Sequence, residues 1–335
     1  MQQVYALPTT DARKLRFMYA QSGIEQRYSV VPDYSRSLPE WKFYPQTESL
    51  EPFPSLEQRM AVYNKQAPLL SVDAIRDCLA HQHHPQDITH LITVSCTGMS
   101  APGLDLQVME LMDLKKTVFR TSVNFMGCYA AIHALKIADA FCKTDRHAKV
   151  MVVCTELCTL HFQKEATMDN MASSLLFGDG AAAVLLMHDQ ASEEGLYIDH
   201  FYSEINPKGK RDMAWELSSS GFLMTLSGYV PQLIEEDFAA IVDRALSIQK
   251  KTKEDVTHWC IHPGGKRILQ AIHNSLGFTN GQLQCSHDVL REFGNLSSAS
   301  ILFVLKKMLE QKGEKNLFGA AFGPGLTVET FTAHS

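Results

Sequence analysis

The chain has 335 residues, 45% of them apolar and 20% charged, and 31 Lys and Arg against 37 Asp and Glu give a net charge of −6. This composition is typical of a soluble globular protein with enough core for two domains or one large layered unit, and it excludes collagen and disorder. The longest apolar run, residues 181–187, is far shorter than the roughly 20 residues of a bilayer helix. The mild acidity argues against nucleic acid as a partner, because phosphate binding needs a basic face.

Strands and helices alternate along the chain, which predicts βαβ units and a largely parallel sheet covered on both faces. After an irregular, proline-rich segment at 32–54, the predicted elements of the first half are a helix at 69–81, strands at 87–92 and 117–125, a buried helix at 129–141 and a strand at 149–154. The predicted elements of the second half are a helix at 238–248, a strand at 256–261, a helix at 266–277, a buried helix at 296–309 and a strand at 316–321.

The two halves match at a nearly constant offset. Residues 87–92 resemble the segment 168 residues later, and Gly127-Cys128 with its helix resembles Gly294-Asn295 with its helix, 167 residues later. A looser match links the strand at 149–154 to the one at 316–321. Three matches at half the chain length indicate a duplicated α/β fold. We predict a five-layer αβαβα sandwich, with an N-terminal half at 1–200 that carries the nucleophile and a C-terminal half at 201–335.

The cysteines and the N-terminus indicate a reducing compartment, and we expect the protein to be cytoplasmic. The first residues carry neither the basic flank nor the apolar core of a secretory signal. Several of the eight cysteines, such as Cys154 and Cys260, lie within apolar runs, and no second pair of zinc-ligand spacing follows Cys154 and Cys158. We interpret seven cysteines as small buried hydrophobes or cavity walls. The eighth is Cys128.

Cys128 follows a predicted strand and a glycine and opens a helix. Free backbone N–H groups and the helix dipole stabilise an anion at such a position, so we expect a lowered thiol pKa and a nucleophilic side chain. The alternative is a cysteine selected for its small size at a crowded helix start. Taken alone, Cys128 fits this alternative at least as well.

His262 supports a nucleophilic role for Cys128. It ends the strand at 256–261 and precedes Pro-Gly-Gly at 263–265. Proline keeps the preceding residue out of the α region, so His262 stands at a strand terminus, and the glycines allow a tight turn into the next helix. We therefore expect the imidazole to face an open space.

Asn295 is the counterpart of Cys128 in the duplication, so the two should lie close together at the pseudo-dyad. Its amide can donate hydrogen bonds to a carbonyl that becomes an enolate or alkoxide, as can the Nε2–H of His262. The alternative is an N-cap for the following helix, flanked by Gly294 and Ser297. Both roles are compatible, because one amide has several bonding groups.

These residues lie in motifs that carry a family resemblance: MGCYAA around Cys128, IHPGG around His262, FGNLSSAS around Asn295, FGDGAAA at 177–183 and FGPGLTVET at 322–330. From about residue 23 to 330 the chain resembles the thiolase-fold condensing enzymes, specifically the type III polyketide synthases of the chalcone synthase-like superfamily. The Pro-Gly-Gly after the histidine and the late Gly-Pro-Gly loop are its most specific features.

The resemblance implies a mechanism. The thiolate of Cys128, paired with the imidazolium of His262, attacks an acyl-CoA starter and holds the acyl group as a thioester. Malonyl-CoA then places its thioester carbonyl between His262 and Asn295, which stabilise the enolate as CO₂ leaves. The chain grows by two carbons per cycle and cyclises to a pyrone, resorcinol or phloroglucinol-type product. CoA thioesters are the substrates, and neither a metal nor a redox cofactor is implied.

The resemblance also implies a cavity wall and a CoA site. The cavity positions are Phe177, Met224, Thr97, Cys158, His161, Ser173 and Ser297, and the CoA positions are Arg27, Arg59, Lys266, Arg267, Gly323, Pro324 and Gly325. Phe177 matches an aromatic gate, whereas Met224 stands where a second gate aromatic is usual and should widen or soften the passage. The alternatives are a core methionine at Met224, close packing at Ser173 and Ser297, and basic residues that are only solvated.

Two other functions stay open at this stage. A priming ketoacyl synthase would condense once onto an acyl carrier protein, although such enzymes typically have His-Gln-Ala-Asn at the histidine. A non-catalytic acyl-binding subunit would need no nucleophile, so the presence of Cys128, His262 and Asn295 together argues against it. The resemblance further implies a homodimer, with the loop at 96–102 at the subunit contact.

Overall fold

The computed structural model describes residues 5, 7–47, 49–80, 82–191, 195–210, 212–279 and 281–335. Its helices are α1 (Thr9–Gln21), α2 (Leu56–Leu79), α3 (Leu104–Leu111), α4 (Ala130–Thr144), α5 (Met168–Leu176), α6 (Val230–Ser247), α7 (Lys266–Leu276), α8 (Gln284–Phe293) and α9 (Ser300–Leu309). Its strands are β1 (His90–Ser95), β2 (Phe119–Asn124), β3 (Lys149–Leu157), β4 (Asp179–Met187), β5 (Tyr197–Ile205), β6 (Met213–Ser218), β7 (Gly221–Leu226), β8 (His258–Ile261), β9 (Asn316–Gly323) and β10 (Thr327–His334). None of the helices in these ranges combines the length and the apolar character that a membrane crossing requires.

The main strands form two four-stranded sheets. The first has the order β2-β1-β3-β4, and only β4 runs antiparallel to its neighbour. The second has the order β5-β10-β9-β8, and only β8 and β9 are parallel. β6 and β7 form a separate hairpin. The predicted half boundary at residue 200 falls inside β5, which belongs to the second sheet.

Alternation along the strands builds five layers, because successive side chains point to opposite faces of a sheet. In β1, Leu91 packs with α2 and α3, whereas Ile92 packs toward α4 and α9. In β9, Leu317 faces the same central layer, and Phe318 faces α6 and α7. The two buried helices therefore lie between the sheets, which confirms the αβαβα sandwich.

Two elements differ from the sequence prediction. α2 begins at Leu56 rather than at residue 69, because Ser55 and Gln58 form a reciprocal capping box and Pro68 is accommodated inside the helix. The second is α8, which the sequence did not predict: it lies 168 residues after β2, so the duplication is incomplete, and β5 supplies the fourth strand of the second sheet.

Candidate active site

The turn that carries Cys128 lies between β2 and α4. Phe125 and Gly127 have φ angles of 61° and 87°, in the left-handed region. A Cβ atom on Gly127 would lie 2.1 Å from Cδ of Pro324, so no larger residue fits without a shift. The backbone N–H of Gly127 donates to Sγ of Cys96 at 3.0 Å. The turn thus places Cys128 two residues before the first residue of α4.

The Cys128 thiol is neutral in this structure. Burial raises its pKa to about 12 and outweighs the lowering by its hydrogen bonds with Ser297 and Asn295, while the buried carboxyl of Glu156 raises it further. The expectation of a lowered pKa is therefore wrong for this state. The desolvation cost of the thiolate exceeds what a helix start supplies, and His262 is itself neutral and contributes no positive charge.

Asn295 is fixed by its backbone and by one end of its amide. Its N–H donates to the carbonyl of Leu176 at 2.9 Å, and its carbonyl accepts from the N–H of Gly178 at 3.0 Å. Its Oδ1 accepts from the N–H of Ser297 at 2.8 Å and from the hydroxyl of Ser300 at 3.3 Å. The opposite end of the amide donates toward Cys128, where it lowers the pKa of the thiol. Asn295 thus caps the turn before α9 with its oxygen and donates toward Cys128 with its nitrogen.

His262 lies just beyond β8, and its backbone N–H donates to the carbonyl of Ala320 in β9 at 2.8 Å. β9 ends at Gly323, which packs so closely on Tyr129 that an added Cβ would lie 2.4 Å from the ring. The bond to Ala320 thus ties His262 to the strand whose last residue packs on Tyr129, the residue after Cys128.

Both ring nitrogens of His262 are buried and have no hydrogen-bond partner within the described ranges. The residue is 1% exposed, and burial lowers its pKa from 6.5 to about 3. A buried polar group without a partner costs free energy unless a bound molecule satisfies it. The neutral imidazole therefore keeps one donor and one acceptor that no described residue satisfies.

A cavity of about 970 Å³ reaches Cys128. It contains all seven positions that the resemblance implied for its wall, namely Phe177, Met224, Thr97, Cys158, His161, Ser173 and Ser297. The volume lies near the top of the range of about 300–1,000 Å³ that small-molecule sites occupy. Contact of these residues with a substrate stays a prediction.

The residues implied for the CoA site, unlike those implied for the cavity wall, lie in different surroundings. Arg27 lines the cavity, but its guanidinium already donates to the carbonyl of Leu175 at 2.7 Å. Arg59 is wholly buried and bonds the carbonyls of Pro54 and Leu160, so its assignment to CoA phosphates is wrong. Burial on the inner side of α2 removes this side chain from any surface that a phosphate could reach.

The remaining implied CoA residues divide between surface and turn. Lys266 and Arg267 are exposed at the start of α7. Pro324 lines the cavity and packs against the Cys128 turn. Gly323 allows the loop to approach Tyr129 closely, and Gly325 adopts a positive φ of 75°. This loop supports the turn, and a CoA contact by it stays a prediction.

Sequence reasoning missed Glu156, which is buried in β3. Its carboxylate accepts from the N–H of Cys96 at 2.9 Å, from the hydroxyl of Thr97 at 2.8 Å and from the hydroxyl of Ser298. It thereby joins the loop after β1 to the turn before α9. A charged residue inside an otherwise apolar strand was the available signal, because such a residue needs several partners.

The family model for chalcone and stilbene synthases, N-terminal domain, matches residues 7–190, and the model for the C-terminal domain matches residues 198–335. A protein of Dictyostelium discoideum named "Probable polyketide synthase 1" is 32% identical over 326 residues, which are 94% of this chain and 10% of that protein. The chain therefore spans about a tenth of the length of this curated relative.

Two solved structures are similar over nearly the whole chain. The crystal structure of PKS-I from the brown alga Ectocarpus siliculosus has a TM-score of 0.90 at 28% identity, over 99% of this chain and 92% of that one. The C-terminal type III polyketide synthase domain of Steely1, a type I/III hybrid from Dictyostelium, has a TM-score of 0.89 at 29% identity, over 98% and 91%.

Proposed function

The chain belongs to the chalcone and stilbene synthase family of type III polyketide synthases, and from this we propose that it loads an acyl-CoA starter on Cys128 and extends it with malonyl-CoA. The product is a pyrone, resorcinol or phloroglucinol-type ring. The observation that carries the proposal is the imidazole of His262, whose two buried nitrogens have no hydrogen-bond partner within the described ranges, together with an Asn295 amide that donates toward Cys128. These groups suit a thioester oxygen that gains negative charge.

Loading begins from a neutral thiol and a neutral imidazole. As Sγ of Cys128 attacks the thioester carbonyl, its proton passes to His262, so the ion pair forms during the attack rather than before it. The C–S bond to CoA then breaks, and the CoA thiolate takes the proton from the imidazolium. The acyl group remains on Cys128 as a thioester.

Extension uses the same donors a second time. The malonyl thioester oxygen accepts hydrogen bonds from His262 and Asn295 while the C–C bond to the carboxylate breaks and CO₂ leaves. The electron pair enters the enolate, whose carbon attacks the acyl carbon on Cys128, and the cysteine leaves as a thiolate. The extended chain is then a CoA thioester that loads again on Cys128, and solvent supplies the one proton that each cycle consumes. The proposal assigns no metal or redox cofactor.

We also propose that the synthase is a cytoplasmic homodimer. All eight cysteines are free thiols, which suits a reducing compartment. β2 is an edge strand of the first sheet, Phe119 at its start is 53% exposed, and Met99 in the 96–102 loop is 42% exposed. A second copy paired on this edge would cover both, and the mass in solution would be twice 37.5 kDa. A fully active monomer at nanomolar concentration would contradict this assembly.

The direct test is incubation with malonyl-CoA and a panel of acyl-CoAs, followed by mass spectrometry of the products. We expect products with two or more malonyl units from the native chain and none from Cys128→Ala. Cys285→Ala is the matched control, because Cys285 is a free thiol that is not among the cavity-lining residues and should keep product formation. A native chain that adds one unit only, and only onto an acyl carrier protein, would favour a priming ketoacyl synthase instead.

A further inference from the structure

The C-terminal end of α5 is completed by two residues from outside the helix. The carbonyls of the last turn of an α-helix have no partner within the helix. In α5, Nη1 of Arg27 donates to the carbonyl of Ser174 and, at 2.7 Å, to the carbonyl of Leu175. The backbone N–H of Asn295 donates to the next carbonyl, that of Leu176, at 2.9 Å. Arg27 and Asn295 therefore bind neighbouring carbonyls of the same helix end.

The residues that follow α5 pair with Asn295. Phe177 and Asn295 form a parallel β-bridge, in which the N–H of Gly178 donates to the carbonyl of Asn295 at 3.0 Å. Together with the bond to Leu176, this bridge fixes the backbone of Asn295 on both sides of the residue. The amide of Asn295, which donates toward Cys128, is aimed by this backbone. A shift at the end of α5 would therefore move the donor.

The aliphatic stem of Arg27 packs beside the same backbone. A Cβ atom on Gly294 would lie 2.8 Å from Cγ of Arg27, and one on Gly178 would lie 3.4 Å from Cβ of Arg27. The guanidinium carbon lies 5.8 Å from the ring centroid of Tyr19 in α1, and the side chain is half-buried. Its positive charge suits this place, because the C-terminal end of a helix carries partial negative charge.

We propose that Arg27 is a positioning residue for Asn295 in decarboxylation and that it acts through the end of α5. This inference rests on the proposed function, since it concerns the donor that stabilises the malonyl enolate. Removal of the guanidinium withdraws the donor from two carbonyls, which costs free energy unless the helix end rearranges. A rearrangement there moves Leu176 and Gly178, the two residues whose backbones hold Asn295. Arg27 itself needs no contact with the substrate.

The test compares two thioesters, malonyl-CoA and malonyl-pantetheine, of which the second lacks the phosphates and the nucleotide. Arg27→Met keeps an unbranched stem against Gly294 and removes the charge and the donors. We expect its kcat for CO₂ release to fall about 10-fold or more with both thioesters, because a displaced donor stabilises the enolate less. Loading of the starter acyl group on Cys128 should stay near the native rate.

Two further variants serve as controls. Arg16→Met removes another cation that lines the cavity, whose Nε donates within α1 to the carbonyl of Ala12 at 3.4 Å, and it should keep the native kcat. Arg27→Lys keeps the charge but not the planar guanidinium, so its kcat should lie between those of Arg27→Met and the native chain. The melting temperature is measured for every variant.

A raised KM for malonyl-CoA, with normal kcat and native behaviour toward malonyl-pantetheine, would show that Arg27 contacts CoA phosphates and would overturn the inference. Equal losses of loading and of CO₂ release would show a general structural role and would overturn it as well. If Arg27→Met does not fold, Arg27→Lys decides with the same two thioesters, and a native kcat in that variant overturns the inference. A native chain that releases no CO₂ from malonyl-CoA overturns the proposed function itself.

Discussion

Cys128 and Asn295 occupy equivalent places in the two halves, yet their surroundings make them chemically different. Each follows a glycine with positive φ and precedes a buried helix of the central layer. The Cys128 side chain is open to the cavity, while Oδ1 of Asn295 is tied to the next helix start, which orients its donor end. A duplicated fold thus brings two helix starts together and allows one to hold a nucleophile and the other a hydrogen-bond donor.

Alanine substitutions at the two equivalent glycines, Gly127 and Gly294, should separate the role of Cys128 in loading from the role of Asn295 in decarboxylation. In Gly127→Ala, strain at φ 87° and the clash with Pro324 should displace Cys128 and lower starter loading by about 10²-fold or more. Gly294 has φ 71°, and a Cβ added to it would lie 2.8 Å from the carbonyl oxygen of Leu176. Gly294→Ala should therefore displace Asn295, which lowers CO₂ release but leaves starter loading on Cys128 intact.

Gly277→Ala is the control for strain alone, because Gly277 has φ 62° with open space around it. Loading is measured by mass spectrometry of the intact protein, and CO₂ release from radiolabelled malonyl-CoA. Equal effects of Gly127→Ala and Gly294→Ala on both steps would contradict the division of roles.

The two buried histidines, His161 and His262, should differ in how much each contributes to stability and to activity. His161→Phe leaves the carbonyl of Thr97 and the N–H of Phe222 without partners and should cost about 1–3 kcal/mol of unfolding free energy. His262→Phe breaks no side-chain hydrogen bond within the described ranges and should leave stability unchanged or raise it, while abolishing CO₂ release. Urea denaturation measures both, and a larger loss of stability in His262→Phe would contradict this contrast.

The same histidines should make stability depend on pH. Above pH 6.5 each is neutral in the folded and the unfolded chain. As the pH falls below 6.5, the unfolded chain takes up protons that the folded chain, with pKa values of about 3, does not. The free energy of unfolding should then fall by about 1.4 kcal/mol per pH unit for each histidine. In urea denaturation between pH 6.5 and 5.5, the free energy of unfolding of His262→Phe should depend less steeply on pH than that of the native chain. An identical slope would contradict the lowered pKa of His262.

The duplicated features were predictable from the sequence. Matches at one offset paired Cys128 with Asn295, and apolar helices after both indicated a central layer, because a helix that is apolar all round must be buried. Phe177 of the motif LFGDG lines the cavity, and the N–H of its neighbour Gly178 donates to the carbonyl of Asn295, while the role of Phe177 as a gate stays a prediction.

Features that depend on contacts between distant segments were not predictable. Arg59 looked like a surface cation because nothing local shows that α2 turns it inward onto the Leu160 carbonyl. The β6–β7 hairpin, whose Trp215 and Phe222 line the cavity, gave no signal, because no other two-stranded sheet occurs among the residues that the structure describes. The pKa of Cys128 depends on burial and on which atoms reach the sulfur, which a helix start alone does not reveal.

The measurement that tests the central claim most directly follows both half-reactions in Asn295→Ala. If Asn295 stabilises the enolate, mass spectrometry should find the starter acyl group on the Cys128 peptide, while CO₂ release from malonyl-CoA falls by about 10²–10³-fold. Ser300→Ala, which removes one bond to Oδ1 and keeps the donor, should have a much smaller effect. Near-normal CO₂ release from Asn295→Ala would show that Asn295 is only a helix cap and would contradict the account.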